Sequence, residues 1–152
     1  MTASHSLDPL DPLDPLDTPA PPAGFAPYAA ISPFMALWGQ LYEQADTEGR
    51  RVIGVRVQTR HLNHQDAMHG GMVASLCDNA MGYLAAKSLG GPIATVHLAV
   101  DYLARVPAGA WLEVHSRLDR QGKQLLFTAC EGRVDGGSLV FRANAVFSAI
   151  RR

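Results

Sequence analysis

The sequence predicts an α+β domain in which one curved antiparallel sheet wraps a single long helix. Three observations carry this expectation. Residues 70–89 are apolar on nearly every side at helical spacing, the pattern of a helix buried at the centre of a fold. The stretch after Pro92 divides into four segments of strand character, separated by Pro-Ala-Gly, Arg-Gln-Gly and Asp-Gly-Gly, which are hairpin signals. At 152 residues the chain has room for one core and not two.

Taken in order, residues 7–17 read Leu-Asp-Pro three times and then Leu-Asp, a low-complexity repeat that cannot bury an apolar face. Residues 1–23 are therefore expected to be a disordered tail, with a single domain over 24–152. An amphipathic helix is expected over 31–44, where Phe34, Leu37, Trp38 and Leu41 recur at i, i+3, i+4, i+7 and Ser32-Pro33 supplies an N-cap and a first-turn proline. Residues 51–60 alternate, with Ile53, Val55, Val57 and Thr59 on one face and Arg56, Gln58 and Arg60 on the other, as in a half-buried strand. A polar loop over 61–68 leads into the long helix, whose apolar run is broken by Ser75, Asp78 and Asn79 and ended by Gly90, Gly91 and Pro92. Strands over 93–104, 111–118, 124–134 and 138–150 then read as an antiparallel meander.

Composition narrows the function classes. Charged residues make up 18% of the chain, against about 25% in an average globular protein, which favours a subunit that buries one face. Residues 1–49 carry five Asp, two Glu and no Lys or Arg, a balance of −7, and the remainder carries +6. That is too mild for a duplex nucleic-acid partner but suits a small polyanion. The uncharged run 18–42 is broken by five prolines, so it does not read as a membrane span, and the acidic N-terminus lacks the basic start of a secretory signal. Cys77 and Cys130, without CxxC spacing, read as buried free thiols of a reducing cytoplasm.

Two features point to chemistry. A carboxylate at Asp78, midway along an apolar helix, is costly to desolvate unless it is hydrogen-bonded, paired or poised to react, so it is either a satisfied structural group or a catalytic one. His69-Gly70-Gly71 opens the helix after a loop holding Asn63, His64, Gln65 and Asp66. Small residues there let a ligand approach the unpaired first-turn N–H groups, where the helix dipole favours developing negative charge; alternatively the glycines only permit a tight turn. Eight residues separate Gly70 from Asp78, roughly 12 Å along the axis. If both serve one site, the helix start of one protomer meets Asp78 of another across a two-fold axis.

From about Val52 to the C-terminus the sequence resembles the hotdog-fold acyl-CoA thioesterases of the phenylacetate-pathway (PaaI-like) type. The resemblance centres on Asn63-x5-His69-Gly70-Gly71-x6-Asp78, followed by Thr95-Val96-His97-Leu98-Ala99-Val100-Asp101-Tyr102-Leu103. The family pattern usually carries Gly where this chain has Asp66. The resemblance implies that the Gly70 N–H polarises the thioester carbonyl and that Asn63 and His69 position carbonyl or water. It makes Asp78 of the partner chain the nucleophile or general base and Thr95 an assisting hydroxyl. It further implies hydrolysis of a short- or medium-chain or aromatic acyl-CoA by a cytoplasmic homodimer or homotetramer, with sites at the subunit interface, no cofactor, and neither nucleic acid nor membrane as partner.

Other constellations compete. A non-catalytic acyl-CoA-binding or regulatory protein of the same fold would keep the pocket and lose the carboxylate, and an acyl-thioester hydratase or dehydratase would need a catalytic His paired with a carboxylate. His61, His64 and His69 on one loop are weak metal candidates, with no HExxH or cysteine partner. Ser75 and Cys77 lie in no nucleophile elbow and are expected to pack. His97 and His115 read as surface or interface groups. The stripe Phe34, Leu37, Trp38, Leu41 reads as core packing, with a lid over an acyl pocket as the alternative.

Overall fold

A computed structural model describes residues 19–48 and 50–150; the Leu-Asp-Pro repeat lies outside the described residues, and 19–23 contain no helix or strand. Seven strands form one antiparallel sheet: β1 (Ala26–Tyr28), β2 (Leu41–Ala45), β3 (Arg51–Arg56), β4 (Ile93–Tyr102), β5 (Trp111–Gln121), β6 (Leu125–Val134) and β7 (Ser138–Ala149). Their order across the sheet is β1-β2-β3-β5-β6-β7-β4. One turn of helix, α1 (Pro33–Ala36), links β1 to β2, and α2 (Gly70–Leu89) crosses the inner face of the sheet.

The long helix forms where the sequence places it. At its start the His69 Nδ1 accepts the Gly71 N–H at 2.9 Å, and at its end Gly90 adopts the left-handed conformation, φ 74°, with its N–H bonded to the Ala86 carbonyl. Val73, Leu76, Cys77, Ala80, Met81 and Ala85 bury its sheet side against Ile53, Leu112, Val114, Leu126, Phe141 and Phe147. The opposite flank is half-buried or exposed in the single chain. Cys77 and Cys130 are free and buried, and the Cys77 thiol is pushed up by its hydrogen bond with Cys130 and by burial. That makes it a packing group rather than a nucleophile.

Two expectations are corrected. Residues 31–44 do not form one helix: α1 ends at Ala36, Gly39 takes φ 76°, and Leu41–Ala45 pairs with both β1 and β3. A left-handed glycine breaks the helix, and the sheet offers residues 41–45 two ladders of hydrogen bonds. The stripe accordingly splits, with Trp38 and Leu41 buried and Phe34 and Leu37 exposed. The last four strands are also not a simple meander. Helix α2 carries the chain to the far side of the sheet, so β4 pairs with β7 at the edge, and the chain then returns across residues 103–110 to β5 beside β3. The remaining strands form hairpins; β6 and β7 turn through Asp135 (φ 47°) and Gly136 (φ 83°), closed by the Gly137 N–H to the Val134 carbonyl.

A single arginine ties the N-terminal strands to the helix. The Arg51 guanidinium lies 4.0 Å from the Tyr28 ring centre and 3.8 Å from that of Tyr83, and it ion-pairs with Glu43. It therefore joins β1, β2, β3 and α2.

Cross-strand packing sets a sharp steric limit at Gly132, which faces Phe141 in register. A Cβ there would meet the buried Phe141 ring at 2.1 Å. Gly132→Ala is expected to destabilise the protein by about 1–3 kcal/mol through overpacking, read as a fall of several degrees in Tm by scanning calorimetry.

Candidate active site

The loop before α2 is rigidly built. After a 3-10 turn over Thr59–His61, the Asn63 Oδ1 accepts the N–H groups of Gln65 (2.9 Å) and Ala67 (3.3 Å). Asp66 sits at φ 55°, a left-handed position that Asp tolerates better than most side chains and that Gly occupies freely. Bridges Leu62↔Met68 and Ala67↔Pro107, with the Met68 N–H on the Val106 carbonyl, fasten the loop to the segment that follows β4. The His69 N–H bonds to the His61 carbonyl at 2.7 Å. The helix start is thus held from both sides.

Its donors are unevenly used. The Gly71 N–H is taken by His69 Nδ1, and those of Met72 and Val73 by the His69 carbonyl, whereas the Gly70 N–H has no acceptor among the described residues. Gly70 lines a cavity of about 620 Å3 together with Asn63, Gln65, Tyr102 and Arg105. The Tyr102 hydroxyl donates to the Gly70 carbonyl at 2.8 Å, which orients that peptide, and a Cβ on Gly70 would press on the Tyr102 ring at 3.3 Å. The Arg105 guanidinium donates to the Gln65 carbonyl and brings a positive charge to the cavity wall.

Asp78 lies elsewhere on the same helix. Its half-buried carboxylate accepts the Thr95 hydroxyl at 2.8 Å, on the flank facing edge strand β4. At Thr95 the β4–β7 register slips, so Val96 has no partner residue and is 60% exposed. The structure therefore brings Asn63 and Gly70 together in one cavity and Asp78 and Thr95 together at the sheet edge. His69 caps the helix start and lines a neighbouring groove. The spacing along α2 keeps the two pairs apart within one chain.

A family model described as Thioesterase superfamily matches residues 65–141, just over half of the chain. A Pseudomonas aeruginosa protein named "Putative esterase PA0474" is 34% identical over 126 residues, covering 82% of this chain and 93% of that protein. The chain belongs to the thioesterase superfamily.

Solved structures agree on the hotdog fold. BH2602 of Bacillus halodurans, solved with CoA, is 26% identical with a TM-score of 0.67, covering 72% of this chain and 74% of that one. The PaaI protein of the phenylacetic acid degradation operon of E. coli is 27% identical with a TM-score of 0.63, covering 66% and 72%. Against this superfamily frame, the remaining candidates fall to structural roles. The Ser75 hydroxyl donates to the Gly71 carbonyl, and His115 pairs with Glu113 at 3.1 Å. Arg105, and Tyr102 at the end of the quoted Thr95–Leu103 stretch, line the cavity without having been given a role from the sequence, because their position follows from the chain's return past the helix start, which periodicity does not encode.

His61 is the clearest structural histidine. It is 3% exposed; its Nδ1 accepts the Gln58 N–H, and its Nε2–H donates to the Trp38 carbonyl at 2.8 Å. Burial holds its pKa below the ordinary 6.5, so the folded state keeps it neutral while the unfolded chain protonates near 6.5. Its contribution is complete above pH 6.5 and is lost as pH falls from there toward the lowered folded value. Chemical denaturation between pH 7.5 and 5 is expected to show a decline in stability below about 6.5, and the decline should be shallower in His61→Gln.

Proposed function

We propose that the protein hydrolyses the thioester bond of a short- or medium-chain or aromatic acyl-CoA to free acid and CoA, at sites shared between two copies of the chain in a homodimer or homotetramer. The observation that carries this reading is the separation of the two half-sites. A free N–H at Gly70 and a carboxylate at Asp78 lie on one helix, too far apart to serve one carbonyl, while Asp78 faces the unpaired edge of the sheet. A second copy meeting that edge supplies the missing half.

In this mechanism the thioester oxygen approaches the Gly70 N–H, whose partial positive charge and helix dipole stabilise the oxyanion as it forms. The partner's Asp78 carboxylate drives attack on the carbonyl carbon, either by taking a proton from water, which then adds, or by attacking directly to give an acyl–aspartyl anhydride that water hydrolyses to the free acid after the thiol has left; both require the anion. Collapse of the tetrahedral species breaks the carbon–sulfur bond, and CoA leaves as the thiol once protonated. Thr95 orients the carboxylate. Asn63, whose Oδ1 is spent on the loop, keeps its Nδ2 for substrate or water. Arg105 favours an anionic ligand in the cavity, as the phosphates of CoA require. Hydration chemistry fits less well because the His69 Nδ1 is already occupied by a backbone N–H. A cytoplasmic setting accords with two free, buried thiols.

Thiol release from a panel of acyl-CoAs tests the activity. Asp78→Asn is expected to keep Tm and lose about a hundredfold or more in kcat; near-normal kcat would return Asp78 to a structural role. A complementation experiment tests the shared site. When inactive Asn63→Ala and Asp78→Asn proteins are unfolded and refolded together, random pairing makes about half of the dimers mixed, each with one intact site of two. Activity should then recover to roughly a quarter of wild type, and a site contained in one chain predicts no recovery.

A further inference from the structure

At helix or strand spacing the Leu-Asp-Pro repeat presents no apolar face, but its own period is three. Proline fixes its φ and pushes the residue before it toward extended backbone, so two residues of every three favour a polyproline-type chain. Such a chain turns once in three residues and rises about 3.1 Å per residue. Period and repeat coincide. In that geometry Leu7, Leu10, Leu13 and Leu16 fall on one edge, about 9 Å apart, and Asp8, Asp11, Asp14 and Asp17 fall on the next. The segment holds no Lys or Arg to neutralise these carboxylates.

A surface of matching chemistry lies beside α1. Phe34 and Leu37 are 58% and 70% exposed although both are large and apolar, and Phe34 packs edge-on against buried Trp38 at 5.2 Å. With Leu62 and Met72 they wall a groove of about 480 Å3 between α1 and the start of α2. No carboxylate lines it. Its one permanent charge is Arg60, which is exposed and in no ion pair among the described residues. Polyproline-type segments dock in aromatic-walled grooves of this kind, and their preset backbone loses little entropy on binding. The chain also enters the fold within reach of the groove. The Ala20 carbonyl accepts from Arg56 Nη2 at 3.2 Å, and Arg60 follows Arg56 by four residues, at most about 14 Å of backbone. Residues 1–18 span about 56 Å at polyproline rise.

We propose that residues 7–17 dock in this groove of their own chain, with the leucine edge against Phe34, Leu37 and Met72 and the aspartate edge toward Arg60. Gly71 lines both the groove and the Gly70 cavity, so a ligand entering from the α1 side has to displace the tail. The docking is independent of the reaction proposed above and is read without substrate. The full chain, carrying the photo-crosslinker p-benzoylphenylalanine in place of Leu10, is irradiated and the attached peptides are mapped by mass spectrometry. Attachment within one chain to residues 34–38 or 60–72 is expected. Arg60→Glu should lower that yield about threefold or more, as should Asp→Lys at positions 8, 11, 14 and 17 together, and combining the two reversals should restore it. Arg60 is exposed and unpaired, so its reversal leaves the fold intact; the four aspartates lie outside the described fold and put the same question should the Arg60 variant fail to fold. Attachment elsewhere, attachment only between two copies at doubled mass, or a yield indifferent to both reversals overturns the docking. So does a combined variant that recovers no yield.

Discussion

The structure depends on one long helix being enclosed by one sheet. Burying α2 supplies the core, but a helix cannot satisfy its own first N–H groups, and here all but one of the first four find acceptors among the described residues. His69 closes the others from outside the helix, the loop from Leu62 to Met68 holds His69, and the segment after β4 holds the loop. The open donor at Gly70 is thus a product of the same packing that makes the domain stable. Its surroundings are fixed by backbone bridges and by engaged side chains, Asn63, His69 and Tyr102, which is what an electrostatic site needs if it is not to reorganise during reaction.

Much of this was legible from residue order. The apolar run from Gly70 to Leu89, its glycine end and the turn signals at Gly109, Gly122 and Gly136 were sufficient for a helix wrapped by a curved sheet. The reading failed where tertiary pairing overrode local pattern. Phe34, Leu37, Trp38 and Leu41 satisfy a helical template, yet Leu41 enters a strand because β1 and β3 stand on either side of it. The crossing of β4 to the far edge was hidden for a related reason: alternation defines a strand but not its neighbour.

The site was legible in its parts and not in its arrangement. Asp78 and His69-Gly70 stood out by type and spacing with Asn63 in the loop before them, Thr95 only through the resemblance, and the roughly 12 Å offset along α2 already set Gly70 apart from Asp78. The structure adds what occupies them: Asn63 shapes the loop with one atom, His69 caps the helix, and Thr95 holds Asp78. Asp66 shows how this loop accommodates a side chain where the family pattern usually carries Gly, since φ 55° is available to Asp at modest strain. The roles of Tyr102 and Arg105 stayed hidden because nothing local distinguishes them from the end of any strand.

Both half-sites are anchored to the same edge strand. Near its start Thr95 grips Asp78, and at its last residue Tyr102 grips the Gly70 carbonyl. Strand β4 therefore acts as a ruler laid along the helix, and its free margin is also the margin along which another chain can align. A slip of one register step there would carry both anchors with it, misaligning donor and carboxylate together. Under the proposed shared site, fidelity of strand registration and competence of the reaction centre become a single requirement, so a mispaired assembly would be silent rather than partly active.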